Sequence, residues 1–188
     1  MLPQRWRLGA AVIRGDHTFI RSTEQDDVEA LYALYMDGVL RAGLLDARRE
    51  PMLPARDDLR DLLTRKEIAD GSFYTIEGET GDIVGFCSLR GISIEARFGE
   101  YGLQLSDVRS YTTAVAMEAH DFLMDRAFAR LGLRKVLAHA LSTEIEFVEF
   151  LRGCGFSSAG IQRDVLHARG GWHHLETLVL GNPATMAS

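Results

Sequence analysis

The segment "SFYTIEGETGDIVGFCSLRGIS", from Ser72 to Ser93, constrains the fold more than any other part of the sequence. Its β-branched and aromatic residues favour strands, and the turn from Glu79 to Asp82 divides it into the two arms of a hairpin. The following "ARFGEYGLQL" predicts a third strand, and "LRKVLAHAL" predicts a buried strand after an intervening helix. This succession of strands and helices predicts an α/β or α+β domain with a central mixed sheet.

Segments on both sides complete the order of elements. "HTFIRSTEQDDVEALYALYMDG" predicts a short strand and a helix with Thr23 as its N-cap. "ARDDLRDLLTRKEIADG" predicts a second, amphipathic helix. The helix after the third strand is expected to reach Leu131, and "TEIEFVEFLRGCGF" predicts a helix that ends at Gly153 or Gly155. "GIQRDVLHA" and "WHHLETLVL" predict a closing hairpin, and "GNPATMAS" a disordered end.

Length and composition restrict the class of protein. The 188 residues are enough for one domain with a full hydrophobic core. A net charge of -6 disfavours non-specific binding to nucleic acid. No segment is typical of a membrane span. Cys87 and Cys154 make no disulfide framework, and reduced thiols indicate a cytoplasmic protein.

Four short segments carry a family resemblance. "GEYGLQL", "LGLRKVLAHAL", "FLRGCGF" and "RDVLHARGGWHHL" follow one another in an order that resembles the GNAT superfamily of acyl-CoA-dependent N-acyltransferases. Within it they resemble the branch that includes the ribosomal-protein N-terminal acetyltransferases. The resemblance runs from His17 to Leu180. It implies a single GNAT-like domain at 1–181, with a mostly antiparallel mixed sheet flanked by helices, and a C-terminal tail at 182–188.

The resemblance implies direct transfer of an acetyl or longer acyl group from acyl-CoA to a primary amine in a ternary complex. Acetyl-CoA or another acyl-CoA is then the co-substrate. The acceptor is an amine-bearing small molecule or a peptide or protein N-terminus, and a homodimer is possible. The ammonium, with a pKa of ~10, must first lose a proton. No metal is expected, because the adjacent His173 and His174 point to opposite faces of a strand.

The stretch "SDVRSYTTAVAMEA", Ser106 to Ala119, stands where the family carries its pyrophosphate loop, Gln/Arg-x-x-Gly-x-Gly/Ala. Anchored on Arg109, the loop is "RSYTTA"; anchored on Glu118 and Ala119, it is "YTTAVA", the register that we prefer. Both lack the glycines, but the phosphate donors are backbone N–H groups, which do not require glycine. The threonines are also expected to cap the helix or to bind a phosphate. The candidate donor-binding residues here are Tyr111, Thr112, Thr113, Ala114, Val115 and Ala116.

The helix before Gly155 departs from the family as well. The family's asparagine, which touches the pantetheine arm, falls on Glu144. Its small residue falls on Phe147, and its frequent tyrosine acid falls on Leu151. An anionic Glu144 is a poor substitute near phosphates. An alternative function is therefore a catalytically weak GNAT-fold protein that binds acyl-CoA or an acyl carrier protein, or serves as a partner subunit.

The candidate catalytic residue is Glu100, which matches the acidic residue of the family's fourth strand and would deprotonate the amine directly or through water. Leu103 and Leu105 lie where that strand separates from its neighbour and offers backbone N–H groups to the pantetheine and the thioester. His139 can reach the same cleft, although a buried neutral histidine is the usual case. Tyr111 either donates to a phosphate or thiolate or packs on the surface.

Overall fold

The computed structural model describes residues 13–36, 56–57, 60–61, 72–168 and 171–186. The strands are β1 Ile13–Arg14, β2 Thr18–Ser22, β3 Ser72–Gly78, β4 Ile83–Ser93, β5 Phe98–Leu105, β6 Lys135–Leu141, β7 Ser157–Ala168 and β8 Gly171–Gly181. The helices are α1 Val28–Met36, α2 Ala114–Met124, α3 Ile145–Gly153 and α4 Pro183–Met186. The predicted helix "ARDDLRDLLTRKEIADG" lies outside these residues except at 56–57 and 60–61, which are helical.

The strands form one eight-stranded mixed sheet in the order β1-β2-β3-β4-β5-β6-β8-β7. Among the described strands, β5 and β6 are parallel and the other neighbours are antiparallel. The predicted fold class and both predicted hairpins are confirmed. No described helix is long and apolar enough to cross a membrane.

Three details differ from the sequence predictions. Glu24 is the N-cap of a 3₁₀ turn, Gln25–Asp27, that leads into α1. Its backbone N–H donates to Asp27, whereas the hydroxyl of Thr23 accepts from Thr75. The helix expected to reach Leu131 is α-helical only to Met124 and continues as a π-helix over Asp125–Arg130. The chain end is ordered over residues 182–186, because α4 follows Asn182, whose side chain donates to the carbonyl of Leu133.

The two faces of the sheet are covered by different helices. α2 and α3 pack on one face, which we call the α2 face, over a core that includes Tyr101, Leu103 and Ala138. The other, the α1 face, carries Phe73 and Phe86, which pack against Leu31 of α1. Since successive strand residues alternate between faces, each residue in the sheet can be assigned to one of them.

The parallel strands β5 and β6 separate before they end. Their pairing runs from Phe98 opposite Lys135 to Tyr101 opposite Ala138 and stops there. The remaining residues of the two strands, 102–105 and 139–141, have no register with each other. We call the space between them the β5–β6 gap. The gap lies at the end of β5, next to the turn that leads from β5 into α2.

Candidate active site

The backbone of β5 presents donors and acceptors to the β5–β6 gap. The N–H of Ser106 donates to the carbonyl of Val84 on β4 at 2.9 Å. Residues of an antiparallel pair direct their N–H and C=O alternately toward and away from the partner strand. Leu103 and Leu105 therefore direct their backbone groups away from β4, into the gap, while their side chains are fully buried in the core. This is the geometry that the sequence predicts for them.

Tyr111 lies inside this gap and is not on the surface. Its side chain is buried, and its hydroxyl donates to the carbonyl of Leu103 at 3.0 Å. The ring packs against Phe147 and Phe150 of α3, with centroids 5.3 and 5.8 Å away. Burial raises the pKa of Tyr111, and the nearby Glu144 carboxylate raises it further, so the hydroxyl stays protonated. The alternative of surface packing is wrong.

A second side chain satisfies the next carbonyl of the gap. The amide of Gln104 donates to the carbonyl of Leu105 at 3.2 Å. The sequence gives no sign of this contact, because a glutamine in a strand is ordinarily a surface residue. Gln104 and Tyr111 together bond the two carbonyls that the separation of β5 from β6 leaves without a strand partner.

The turn after β5 delivers a helix N-terminus to the mouth of the gap. Val108–Thr112 form a 3₁₀ turn, and α2 begins at Ala114 without a side-chain cap. The hydroxyls of Thr112 and Thr113 donate instead to the carbonyls of Arg109 and Ser110. Thr113 therefore occupies the N-cap position, as expected, but its hydroxyl makes no capping hydrogen bond.

The N–H groups at the start of α2 are free of intrahelical partners. Ala114, Val115 and Ala116 have no carbonyl four residues back within the helix, and the helix dipole makes this end electropositive. The side chain of Ala114 is exposed, Val115 is partly buried, and Ala116 is fully buried. Such an end is a ready site for phosphate oxygens.

Glu144 lies at the far end of the gap as the N-cap of α3. Its carboxylate accepts a hydrogen bond of 2.6 Å from the backbone N–H of Leu141, the last residue of β6. Burial raises the pKa of Glu144 to about 7, although that hydrogen bond favours the charged form. Burial therefore disfavours the anionic form of Glu144 near neutral pH.

Glu100 lies on the opposite side of β5, on the α1 face. It stands across from Arg90 of β4, and its carboxyl carbon lies 3.5 Å from where a Cβ on Gly91 would be. Gly91 has φ +52°, a conformation that favours glycine. His139 of β6 points to the same face, with Nε2 at 4.0 Å from the Glu100 carboxylate and Nδ1 at 3.1 Å from the Thr177 hydroxyl.

Neither cysteine is suited to act as a nucleophile. Burial raises the pKa of Cys154 to about 11, and Cys87 is fully buried with its pKa also raised by burial. Both thiols are protonated at neutral pH, and only the thiolate is strongly nucleophilic. No cluster of three metal-binding side chains occurs in the described part of the chain.

The structure thus groups the predicted residues in three places. Leu103, Leu105, Tyr111 and Glu144 surround the gap. Residues 112–116 form its mouth, and Glu100 lies on the other face of the same strand. Sequence reasoning missed Gln104, which bonds the carbonyl of the adjacent Leu105, and Thr177, which only the strand register brings to His139. It identified Phe147 as a departure from the family's small residue, but it did not predict the contact between Phe147 and Tyr111.

Comparison with known proteins identifies the family and supports the fold. The family described as acetyltransferase (GNAT) domain matches residues 20–176. No curated protein matches the chain in sequence. Spermidine N-acetyltransferase from Vibrio cholerae in complex with CoA and spermine has a TM-score of 0.75 at 16% identity, over 89% of this chain and 97% of that chain.

Two further solved structures have the same fold. The dodecameric structure of spermidine N-acetyltransferase from Vibrio cholerae in its intermediate state has a TM-score of 0.72 at 18% identity, over 89% of this chain and 95% of that chain. A probable acetyltransferase has a TM-score of 0.74 at 22% identity, over 92% of this chain and 98% of that chain. The chain therefore belongs to the GNAT acetyltransferase family, whose members are enzymes with acetyl-CoA as their co-substrate.

Proposed function

We propose that this protein transfers an acetyl group from acetyl-CoA to a primary amine by direct attack, with Glu100 as the general base. One observation carries the proposal: β5 leaves β6 directly after Tyr101, so a single strand offers the Leu103 and Leu105 backbone on one side and Glu100 on the other. An arm entering the gap and an amine on the α1 face would therefore meet across β5.

The donor is held by the backbone in this proposal. The N–H groups of Ala114, Val115 and Ala116 receive the pyrophosphate at the uncapped start of α2. The N–H and C=O groups of Leu103 and Leu105 bond the pantetheine arm and the thioester oxygen, as a further strand would. Thr112 and Thr113 contribute through exposed side chains beside the phosphates.

The ammonium gives one proton to Glu100, and its free lone pair attacks the thioester carbon to form a tetrahedral intermediate. The carbon–sulfur bond breaks, and the thiolate takes the second proton from the amine nitrogen. Each turnover produces an amide and a thiol and releases one proton to solvent. The protein supplies the base and the oxyanion donors, and it needs no covalent intermediate.

Tyr111 must move before the arm can enter. Its hydroxyl bonds the Leu103 carbonyl, which is one of the groups that the arm would use. The arm can replace that hydrogen bond, but the ring has to leave its packing against Phe147 and Phe150. We therefore assign Tyr111 and Glu144 to the walls of the donor site, where they oppose entry and reduce the affinity for CoA.

A polyamine is the acceptor class that we favour. The solved neighbours include an enzyme in complex with CoA and spermine. The net charge of -6 also suits a polycationic substrate. A peptide or protein N-terminus is the second acceptor class, supported by the resemblance of "GEYGLQL" to the ribosomal-protein branch. A homo-oligomer and a cytoplasmic location are further proposals, supported by the dodecameric neighbour and by two free cysteines.

The second candidate function is binding of an acyl carrier with little or no catalysis. It is favoured by the same Tyr111 and Phe147 rings, which fill the gap, and by the loss of the loop glycines. The two functions differ in their products. Mass spectrometry of a reaction with acetyl-CoA, longer acyl-CoAs and a panel of polyamines and short peptides reports transfer directly.

A thermal shift with CoA tests the donor site without catalysis. Ligand at about 100 times its Kd stabilises the folded protein by roughly 2.7 kcal/mol. Acetylated amine together with a shift supports the enzyme. A shift without product supports a protein that binds acyl-CoA without catalysis. No shift with CoA or any acyl-CoA contradicts the enzyme and excludes acyl-CoA as the carrier of the second candidate function.

A further inference from the structure

We propose that His139 is a positioning and proton-relay residue for the general base Glu100, with its ring orientation set by Thr177. This inference rests on the proposed function, because it assigns a role at the same site. Three neighbouring strands contribute one residue each, and all three side chains lie on the α1 face.

The register of the sheet brings Glu100, His139 and Thr177 into one row on the α1 face. Tyr101 of β5 stands opposite Ala138 of β6, and both are buried on the α2 face. The adjacent residues Glu100 and His139 therefore point to the α1 face. His139 stands opposite Thr177 of β8. A shift of one residue in either pairing would place His139 on the opposite face of the sheet from Glu100 or from Thr177.

The contact with Thr177 decides which ring nitrogen faces the base. Nδ1 lies 3.1 Å from the Thr177 hydroxyl oxygen. When Nδ1–H donates to that oxygen, Nε2 keeps its lone pair and directs it at Glu100. The 4.0 Å between Nε2 and the Glu100 carboxylate is about 1 Å longer than a hydrogen bond. Rotation of the glutamate side chain, or one bridging water, spans that difference.

The row gives the substrate proton a path to solvent. The ammonium proton moves to a carboxylate oxygen of Glu100 and then to Nε2 of His139. The imidazolium releases it to water, since 19% of the His139 side chain is exposed. Glu100 then returns to its ionised form for the next turnover. No co-reactant other than water is needed.

The charged groups around His139 are few within the described part of the chain. β5 contributes Glu100, and Arg90 of β4 stands opposite Glu100 on the same face. β8 contributes the neutral Thr177, while its neighbour Glu176 pairs with Arg152 of α3 on the other face. Among the described residues, the Glu100 carboxylate lies 4.0 Å from the ring, and an imidazolium at His139 gains from it.

The first test does not depend on activity. Histidine ring signals of the full-length protein are titrated by NMR in wild type, in Glu100→Gln and in His139→Gln, which identifies the His139 signal. We expect the midpoint for His139 to fall by roughly one pH unit in Glu100→Gln. His17, which bonds Glu79 far from the site, is the internal control and should not move. An unchanged His139 midpoint overturns the coupling.

The second test is the pH profile of kcat/KM. We expect His139→Gln to lower kcat/KM about tenfold at pH 7 and to abolish the acidic limb of the profile. Thr177→Val should cause part of this loss, and Thr177→Ser, which keeps the hydroxyl, should restore it. A uniform loss at every pH, or a Thr177→Ser that behaves like Thr177→Val, contradicts the relay. Absence of transfer by wild type would refute the proposed function, while the NMR titration still tests the coupling.

Discussion

The Tyr111 hydroxyl and the Leu103 carbonyl form a 3.0 Å hydrogen bond within the β5–β6 gap. A side chain from the loop after β5 thereby takes the place of a strand partner. The bond holds a large ring against Phe147 and Phe150, in the space through which a pantetheine arm would pass. In the proposed donor site, the affinity for CoA would be set by a competition between Tyr111 and the arm for the same backbone groups.

Tyr111→Phe should bind CoA more tightly than wild type. The variant keeps the ring but loses the hydrogen bond, whose net contribution is about 1 kcal/mol. Because binding no longer breaks that bond, the Kd should fall roughly fivefold. The free protein should lose a similar amount of stability. Isothermal titration calorimetry and thermal melts measure the two effects.

Tyr32→Phe is the matched control for this variant, since it removes a tyrosine hydroxyl from α1 and keeps the ring that packs under Arg56. Its Kd for CoA should equal that of wild type. Weaker binding by Tyr111→Phe would mean that the hydroxyl contacts the donor and does not compete with it.

Larger and smaller side chains at Ala114, the first residue of α2, should change the affinity for CoA in opposite directions. Ala114→Val places a β-branched side chain beside the phosphates. Its binding free energy for CoA should become less favourable by more than about 1 kcal/mol. The change in helix propensity accounts for only a few tenths of a kcal/mol. Ala114→Gly permits a closer approach and should bind equally well or better. Equal Kd values for the two variants would show that this helix end does not hold a pyrophosphate.

The sequence predicted the fold because its strands and helices carry clear periodic signals. Helix ends were predicted where glycine marks them: α3 ends at Gly153, and Gly155 follows with φ +90°. The N-cap of the 3₁₀ turn before α1 was missed by one residue, since Thr23 and Glu24 are adjacent polar candidates and only tertiary contacts with Thr75 distinguish them.

The candidate site was predictable in its backbone and not in its side chains. Leu103 and Leu105 were located by the resemblance of "GEYGLQL" to the family's fourth strand, which is a local match in the sequence. The inward direction of the Tyr111 side chain could not be predicted, because a tyrosine in a polar loop has no periodic partner to indicate its face. The row of Glu100, His139 and Thr177 depends on the register of three strands distant in sequence, which no local pattern specifies.

Glu144→Gln should become more stabilising as the pH rises. The pKa of Glu144 is about 7 in the folded protein, above its ordinary value of 4.5, so the folded state holds the proton more tightly than the unfolded state. Wild type therefore loses stability as the pH rises from about 4.5 to about 7, by on the order of 2–3 kcal/mol. Glutamine stays neutral and avoids this loss.

The measurement is the free energy of unfolding of wild type and Glu144→Gln in urea at pH 5 and pH 8. The two proteins should be close at pH 5, and the variant should be the more stable one at pH 8. Glu146→Gln, an exposed change in the first turn of α3, is the control and should show no such trend. A difference between wild type and Glu144→Gln that is the same at both pH values would show that Glu144 is ionised without cost.

The most direct test of the account is the rate of acetyl transfer by Glu100→Gln with acetyl-CoA and a polyamine acceptor, followed by mass spectrometry from pH 6 to pH 9. Glutamine keeps the shape of the side chain but cannot accept a proton. We predict that kcat falls at least about a hundredfold, while the Kd for CoA stays within about twofold of wild type. Glu95→Gln, in the exposed turn before β5, should keep full activity. An unchanged kcat for Glu100→Gln across this pH range would contradict the assignment of Glu100 as the base.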